Sequence, residues 1–174
     1  ESARLVATEL LPIAALMERT TREVAIHLKG PRHGRPVFEA LAEKRLALTD
    51  TVRVSEYAWR TGGAVTDGST SFLELGSMVP VEDLIKGMIV QSGNDATIAL
   101  AEKIGGTESG FVQIMNSYSQ RLGLKGTRWT NSWGGPAPDH YSTARDIATL
   151  SSVLIHKFPE YYKYYSMREF TWNK

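Results

Sequence analysis

Between Val81 and Gly106 the chain reads VEDLIKGMIVQSGNDATIALAEKIGG, an apolar run at helical spacing broken once, at Ser92, Gly93 and Asn94. Before the break, Leu84, Ile85, Met88 and Ile89 recur at helical intervals, with Glu82 and Asp83 near the positive N-terminal end. After it, Asp95 opens a second segment in which Ile98, Ala99 and Glu102 keep the spacing and Gly105 and Gly106 supply a stop. Ser, Gly and Asn are poor residues for a helix interior. The pattern therefore predicts two helices meeting at a polar junction. That junction combines a hydroxyl, a sterically open backbone and a carboxamide that both donates and accepts. Two readings fit it. Ser92 or Asn94 caps the second helix while Gly93 supplies an unusual dihedral, or the three residues together read a polar substrate.

Order extends on either side of this pair. VFEALAEKRLAL, from Val37, predicts a helix ending before Thr49 and Asp50, and TVRVS predicts a short strand. RTGGAVTDGSTSF is rich in Gly, Ser, Thr and Asp and reads as a loop, and Pro80 suits the first turn of the helix that follows. Phe111, Ile114, Met115, Tyr118 and Leu122 form one stripe, with Gly123 as the residue after the helix. KGTRWTNSWGGPAPDH is a long polar loop. In YSTARDIATLSSVLIHKFP, Thr143 and Asp146 are spaced as a capping box, and Ile147, Leu150 and Leu154 give a buried face. The final EFTWN, around Phe170 and Trp172, alternates as a strand would and calls for a sheet partner, so its free edge predicts association of the chain on its own. Residues 1–36 differ in character: Leu10 to Met17 fit a short helix with Pro12 in its first turn, and KGPRHGRP reads as a basic loop broken by Gly and Pro.

Composition narrows the classes. Twenty Lys and Arg against nineteen Asp and Glu leave a formal charge of +1, which provides no general attraction for nucleic acid or membrane. There is no cysteine, hence no disulfide and no thiolate metal site. His27, His33, His140 and His156 lack metal-ligand spacing, so neither a metal nor a cofactor is expected. No apolar run reaches the roughly 18 residues of a spanning helix, and no signal peptide is read at the start of the chain. No internal repeat or low-complexity segment is present.

The order and spacing of GSTSFLELGSMVPVEDLI, the Ser-Gly-Asn tripeptide, NSYSQRLGL and YSTARD carry more information than the tripeptide alone. From about Val37 to Lys174 the chain resembles the penicillin-binding D-Ala-D-Ala carboxypeptidases of serine peptidase family S11. The resemblance implies an α+β, β-lactamase/DD-peptidase-like fold, of which this chain supplies mainly the helical lobe and an incomplete antiparallel sheet. It divides the chain into an atypical segment, 1–36, and a partial DD-peptidase domain, 37–174. It also implies removal of the terminal D-Ala of peptidoglycan pentapeptides through an acyl-enzyme, with β-lactams as inhibitors and a periplasmic or extracytoplasmic location. Ser92 and Asn94 take catalytic roles by this resemblance, Ser92 in proton transfer beside the nucleophile and Asn94 in holding the peptide; Ser92, Gly93 and Asn94 together contact substrate.

The family also requires Ser-x-x-Lys, in which the amine takes the proton of the nucleophilic serine, and Lys-Thr-Gly on a facing strand. No serine of this chain has lysine three residues on, and Lys-Thr-Gly does not occur. Family members place Lys-Thr-Gly beyond the point at which this chain stops, whereas the nucleophile belongs just before VFEALAEKRLAL, where EVAIHLKGPRHGRP stands instead. Residues 1–36 are therefore read as a shifted coding segment or an unrelated replacement. Three functions follow from these observations: a serine DD-carboxypeptidase, a catalytically inactive relative or fragment that contacts peptidoglycan, and a small basic nucleic-acid or scaffold protein. The last rests only on Lys29, Arg32, His33 and Arg35, which read more simply as a solvated loop. Trp129 and Trp133 either rim a cleft or pack on the lobe. Arg145 and Asp146 read as a helix-start pair without catalytic role.

Overall fold

The computed structural model describes residues 29–171, and for residues 29–33 the backbone alone. The expected helix at Leu10 to Met17, the side chains of His27 and His33, and Trp172 lie outside the described residues. In chain order the elements are α1 (Lys29–Ala42), β1 (Thr51–Arg53), α2 (Glu56–Trp59) running into a π-helical turn (Arg60–Ala64), β2 (Met78–Pro80), α3 (Val81–Ile89), α4 (Asn94–Gly105), α5 (Glu108–Arg121), α6 (Ala144–Lys157), α7 (Pro159–Tyr162) and a 3-10 turn (Lys163–Ser166).

Helix α4 is the axis of the lobe. Every residue from Asn94 to Ala101 is buried, the signature of a helix covered on all sides, and α1, α3, α5, the π-helical turn and β1 all pack on it. It ends where the two glycines predict, with Gly106 at φ 74°. On α3, Leu84, Ile85 and Met88 turn inward as their spacing requires. On α5, Phe111, Met115 and Tyr118 do the same, Ile114 is half-buried, and Gly123 takes φ 70° just after the helix. Strands β1 and β2 pair antiparallel with Val52 opposite Val79, and both valines enter the core. The strand at Met78–Pro80 is too short to leave a periodic trace in the sequence; Pro80 closes it and precedes α3 rather than opening the helix.

Three sequence expectations are corrected. KGPRHGRP is helical, not a loop: Pro31 lies in the first turn of α1, and Pro36 sits inside the helix at the expense of one hydrogen bond. The helix persists because its second half is anchored, with the Phe38 ring stacked on Tyr161 at 5.2 Å and edge-on to Phe158. It also ends earlier than the pattern predicts, at Ala42. Second, Arg60–Ala64 continues α2 as a π-helical turn instead of joining the loop. Third, Met167–Thr171 carries no strand, while Trp172 and Asn173 of the expected EFTWN strand lie outside the described residues; the described sheet has two strands only.

Arg35 is not a solvated basic residue. It is buried, its Nε lies 3.6 Å from Glu39 Oε2, and its guanidinium stacks 5.0 Å from the Tyr118 ring centroid, while Nε and Nη1 have no hydrogen-bond partner. Burial alone would raise the Glu39 carboxyl; hydrogen bonds from Lys157 and Tyr118, with the charges of Lys157 and Arg35, hold it below its ordinary value. Lys157 Nζ is 3.0 Å from Glu39 and Arg121 3.8 Å, so Glu39 keeps cationic partners without Arg35. Both of these cations lie against Oε1, whereas Arg35 is the cation beside the buried Oε2, and removing one partner of a buried pair is strongly destabilising because the other charge is left under-compensated. Arg35→Met is expected to destabilise the chain by about 3 kcal/mol, lowering the midpoint of a thermal melt by about 6–12 °C; an unchanged or higher midpoint would contradict this account.

Candidate active site

The junction forms because α3 and α4 cannot continue into one another. Ser92 adopts φ 59°, the left-handed region that side chains disfavour. Gly93 has φ −66° and ψ 122°, an ordinary extended conformation. The expected roles are thus exchanged: Ser92 supplies the unusual dihedral, and glycine is required at 93 for space. A Cβ on Gly93 would lie 2.0 Å from Ser71 Oγ and 2.9 Å from both Ser71 N and Asp95 Oδ1. Nor is the junction a side-chain cap, since Gly93 occupies the N-cap position of α4 without a capping side chain.

The carboxylate next in sequence does that work over a longer range. Asp95 is 1% exposed. Oδ1 accepts from Ser71 N (2.8 Å) and from Ala96 N (2.9 Å); Oδ2 accepts from Leu73 N (3.0 Å) and from Thr70 Oγ1 (2.9 Å). A buried carboxylate with four donors at a helix N-terminus is well solvated by the protein itself. These bonds pin residues 70–73 over the junction, including Phe72, which has φ 55° and is 77% exposed. Asn94 N donates to Ser69 O (2.9 Å), and Asn94 Nδ2 donates to Thr66 Oγ1 (3.1 Å). Gly62 lies against the same backbone so closely that a Cβ would come 2.3 Å from Asp95 N.

A second wall comes from the loop between α5 and α6. Trp129 is buried, its N and O bonded to the Asn116 carboxamide and its Nε1 donating to Ser119 Oγ (2.8 Å). It is a strut of the lobe. Beyond it, Asn131 Oδ1 accepts from Gly134 N and Gly135 N, and Glu108 accepts from Ser132 N and Oγ and from the Tyr57 hydroxyl. The tight loop leaves the Trp133 ring lying across Gly135, where a Cβ would be 2.1 Å from the ring. Trp133 rims the cleft, so the two tryptophans have different roles. The far end of this loop is tied down at α6, where Thr143 caps the helix by accepting from Asp146 N. The Asp146 carboxylate accepts from Gly126 N and Thr127 Oγ1.

The two walls enclose an open cleft of about 970 Å³ lined by Thr61, Thr66, Gly68, Ser69, Ser92, Asn94 and Trp133, with Val65, Asp67 and Gly134–Pro136. Ser92 and Asn94, singled out from sequence, both face it. Trp133 was one of two tryptophans the sequence offered as a rim, whereas the contributions of Thr61, Thr66 and Ser69 were not legible there, because they reach the junction across gaps of more than twenty residues. Among the described residues there is no group of His, Cys, Asp or Glu able to hold a metal, and no helix is long and apolar enough to cross a membrane.

The local geometry predicts opposite responses at adjacent positions. Ser92→Gly is expected to leave stability unchanged or raise it by up to about 1 kcal/mol, by relieving a left-handed side chain. Gly93→Ala costs about 2–3 kcal/mol through overpacking. Ser71→Ala, which removes a buried hydroxyl without a hydrogen-bond partner, is close to neutral alone and recovers part of that cost in the double variant. Asp95→Ala strands buried donors and costs about 3 kcal/mol, with faster hydrogen exchange at the Ser71 and Leu73 amides. Denaturant midpoints of the variants check each figure, and equal effects at 92 and 93 would refute the assignment.

Comparison with known proteins agrees with this architecture. The family model of D-alanyl-D-alanine carboxypeptidases, peptidase S11, matches residues 36–174. The chain is 46% identical over 139 residues to D-alanyl-D-alanine carboxypeptidase DacC of Escherichia coli K12, covering 79% of this chain and 35% of the relative. It is 47% identical over 135 residues to DacA of Haemophilus influenzae, covering 78% and 34%. The chain thus spans about a third of the length of these curated relatives. Among solved structures, penicillin binding protein 5 of Haemophilus influenzae superposes with a TM-score of 0.80 at 44% identity, covering 84% of this chain and 42% of that one. Penicillin binding protein 6B of Escherichia coli gives 0.79 at 41% identity, covering 84% and 46%. These likenesses identify the fold as that of the penicillin-binding DD-peptidases, here its helical lobe with a small antiparallel sheet, and the chain belongs to the D-alanyl-D-alanine carboxypeptidase family S11.

Proposed function

We propose that residues 37–174 form one face of the active site of a serine-type D-Ala-D-Ala carboxypeptidase acting in peptidoglycan maturation, on the extracytoplasmic side where that polymer lies. Its substrate is a stem pentapeptide ending in D-Ala-D-Ala, and β-lactams are its inhibitors. The observation that carries this reading is the pair Ser92 and Asn94 on the floor of an open cleft within a chain of this family. The Ser92 hydroxyl is suited to passing a proton beside a nucleophile, and the Asn94 carboxamide to holding a peptide group. Neither places a negative charge against an anionic substrate terminus.

A second reading concerns the chain itself and rests on a specific observation: no serine is followed by lysine three residues on, and Lys-Thr-Gly does not occur. Acylation needs a nucleophile whose proton a neighbouring base accepts. This chain therefore contributes peptide contact through Ser92, Gly93 and Asn94 rather than turnover, as an inactive fragment or peptidoglycan-binding relative would. Under this reading residues 1–36 depart from the family in sequence, although Arg35 already packs within α1, and nucleic acid and metal have no part in it. Incubation with a fluorescent penicillin followed by denaturing electrophoresis is expected to leave the chain unlabelled. Stable covalent labelling would overturn the assignment of inactivity.

A further inference from the structure

Thr66 stands out among the residues lining the cleft because of how its hydroxyl is used. Its Oγ1 accepts from two donors, Gly68 N at 3.1 Å and Asn94 Nδ2 at 3.1 Å. A threonine hydroxyl has two lone pairs and one proton. With both lone pairs engaged, its remaining capacity is donation, and among the described residues no acceptor takes that proton. Thr66 lines the cleft beside Asn94, and its backbone is tied down by Thr66 N donating to Gly63 O. Gly68 closes over the pair, since a Cβ there would come 2.7 Å from Asn94 Nδ2.

From this arrangement we infer that Thr66 is a further substrate-binding residue, donating its hydroxyl proton to an amide carbonyl oxygen of the peptide while holding the Asn94 carboxamide in place. The neighbouring Asp67 favours a neutral acceptor. It is exposed on the rim of the same cleft, has no ion pair among the described residues, and would repel a carboxylate brought to the same corner. Thr66 thus links Asn94 to the ligand: the Asn94 amide donates to it, and it donates to the ligand. Such chains of donors polarise one another. The assignment deepens the site reading above and rests on it.

The test uses the full chain, nitrogen-15 labelled, titrated with a diacetylated Lys-D-Ala-D-Ala peptide and followed by NMR. The parent is expected to show saturable shifts at Thr66, Gly68 and Asn94. Thr66→Val should weaken binding about fivefold or more, the scale of one hydrogen bond in a partly enclosed site. Thr66→Ser, which keeps the hydroxyl, should stay within about twofold of the parent. Asn94→Ala serves as the reference for loss of the site. Val at 66 binding like the parent while Asn94→Ala abolishes binding would overturn the role of Thr66 and leave the site reading intact. A shifted Asn94 side-chain resonance in peptide-free Thr66→Val, with a loss equal to that of Asn94→Ala, would also overturn direct donation. No saturable shift in the parent would overturn both readings.

Discussion

The lobe depends on one buried carboxylate. Asp95 sits at the start of the most enclosed helix and gathers Ser71 N, Leu73 N, Thr70 Oγ1 and its own Ala96 N. A helix N-terminus presents unpaired N–H groups and a positive dipole end, so a carboxylate is favourable there. What distinguishes Asp95 is that only one of its donors belongs to its own helix. The others come from a loop more than twenty residues upstream, which therefore closes over the Ser92–Asn94 junction. Asp95 fixes both the entry of α4 and the segment 70–73 that continues from the cleft-lining Ser69.

Close packing at that point explains the residue types around it. Gly62 and Gly93 press their backbones against the Asn94–Asp95 peptide and against Ser71, at separations no Cβ would allow. Ser92 bears the conformational cost, with a left-handed backbone that glycine would accept more readily. A strained non-glycine residue facing a cleft is more simply retained for its side chain than for its backbone. The same economy appears in the second wall, where Asn131 and Glu108 satisfy the turn that carries Trp133, and buried Trp129 holds the loop to α5.

The N-terminal side of the lobe is less consistent with itself. From Val37 onward α1 presents Val37, Phe38, Ala40 and Leu41 to the core, as its pattern predicts. Just ahead of the family match, Arg35 enters the same interior with two nitrogens lacking hydrogen bonds. Local preference and tertiary demand agree from Val37 onward and conflict at Arg35. This matches the boundary at which the family model begins, residue 36. A core that accepts a buried guanidinium at that position has a mismatch between sequence and fold.

By itself the sequence determined the helices α3 to α6, because their apolar spacing, the Gly106 and Gly123 stops and the Thr143 cap are local signals carried by a few adjacent residues. It also marked Ser92, Gly93 and Asn94 as a junction, since their poor helix preference needs no tertiary context. Which of the three bends the backbone was decided elsewhere, by the approach of Ser71 to Gly93. The helical course of KGPRHGRP, the short strand at Met78–Pro80 and the unstranded Met167–Thr171 were likewise settled by packing against distant partners or by the lack of one among the described residues. So was the cleft itself. Thr66 and Ser69 bond Asn94 and Trp133 lines the same cleft across tens of residues, and no periodicity within one segment encodes which loop another segment's carboxylate will bind.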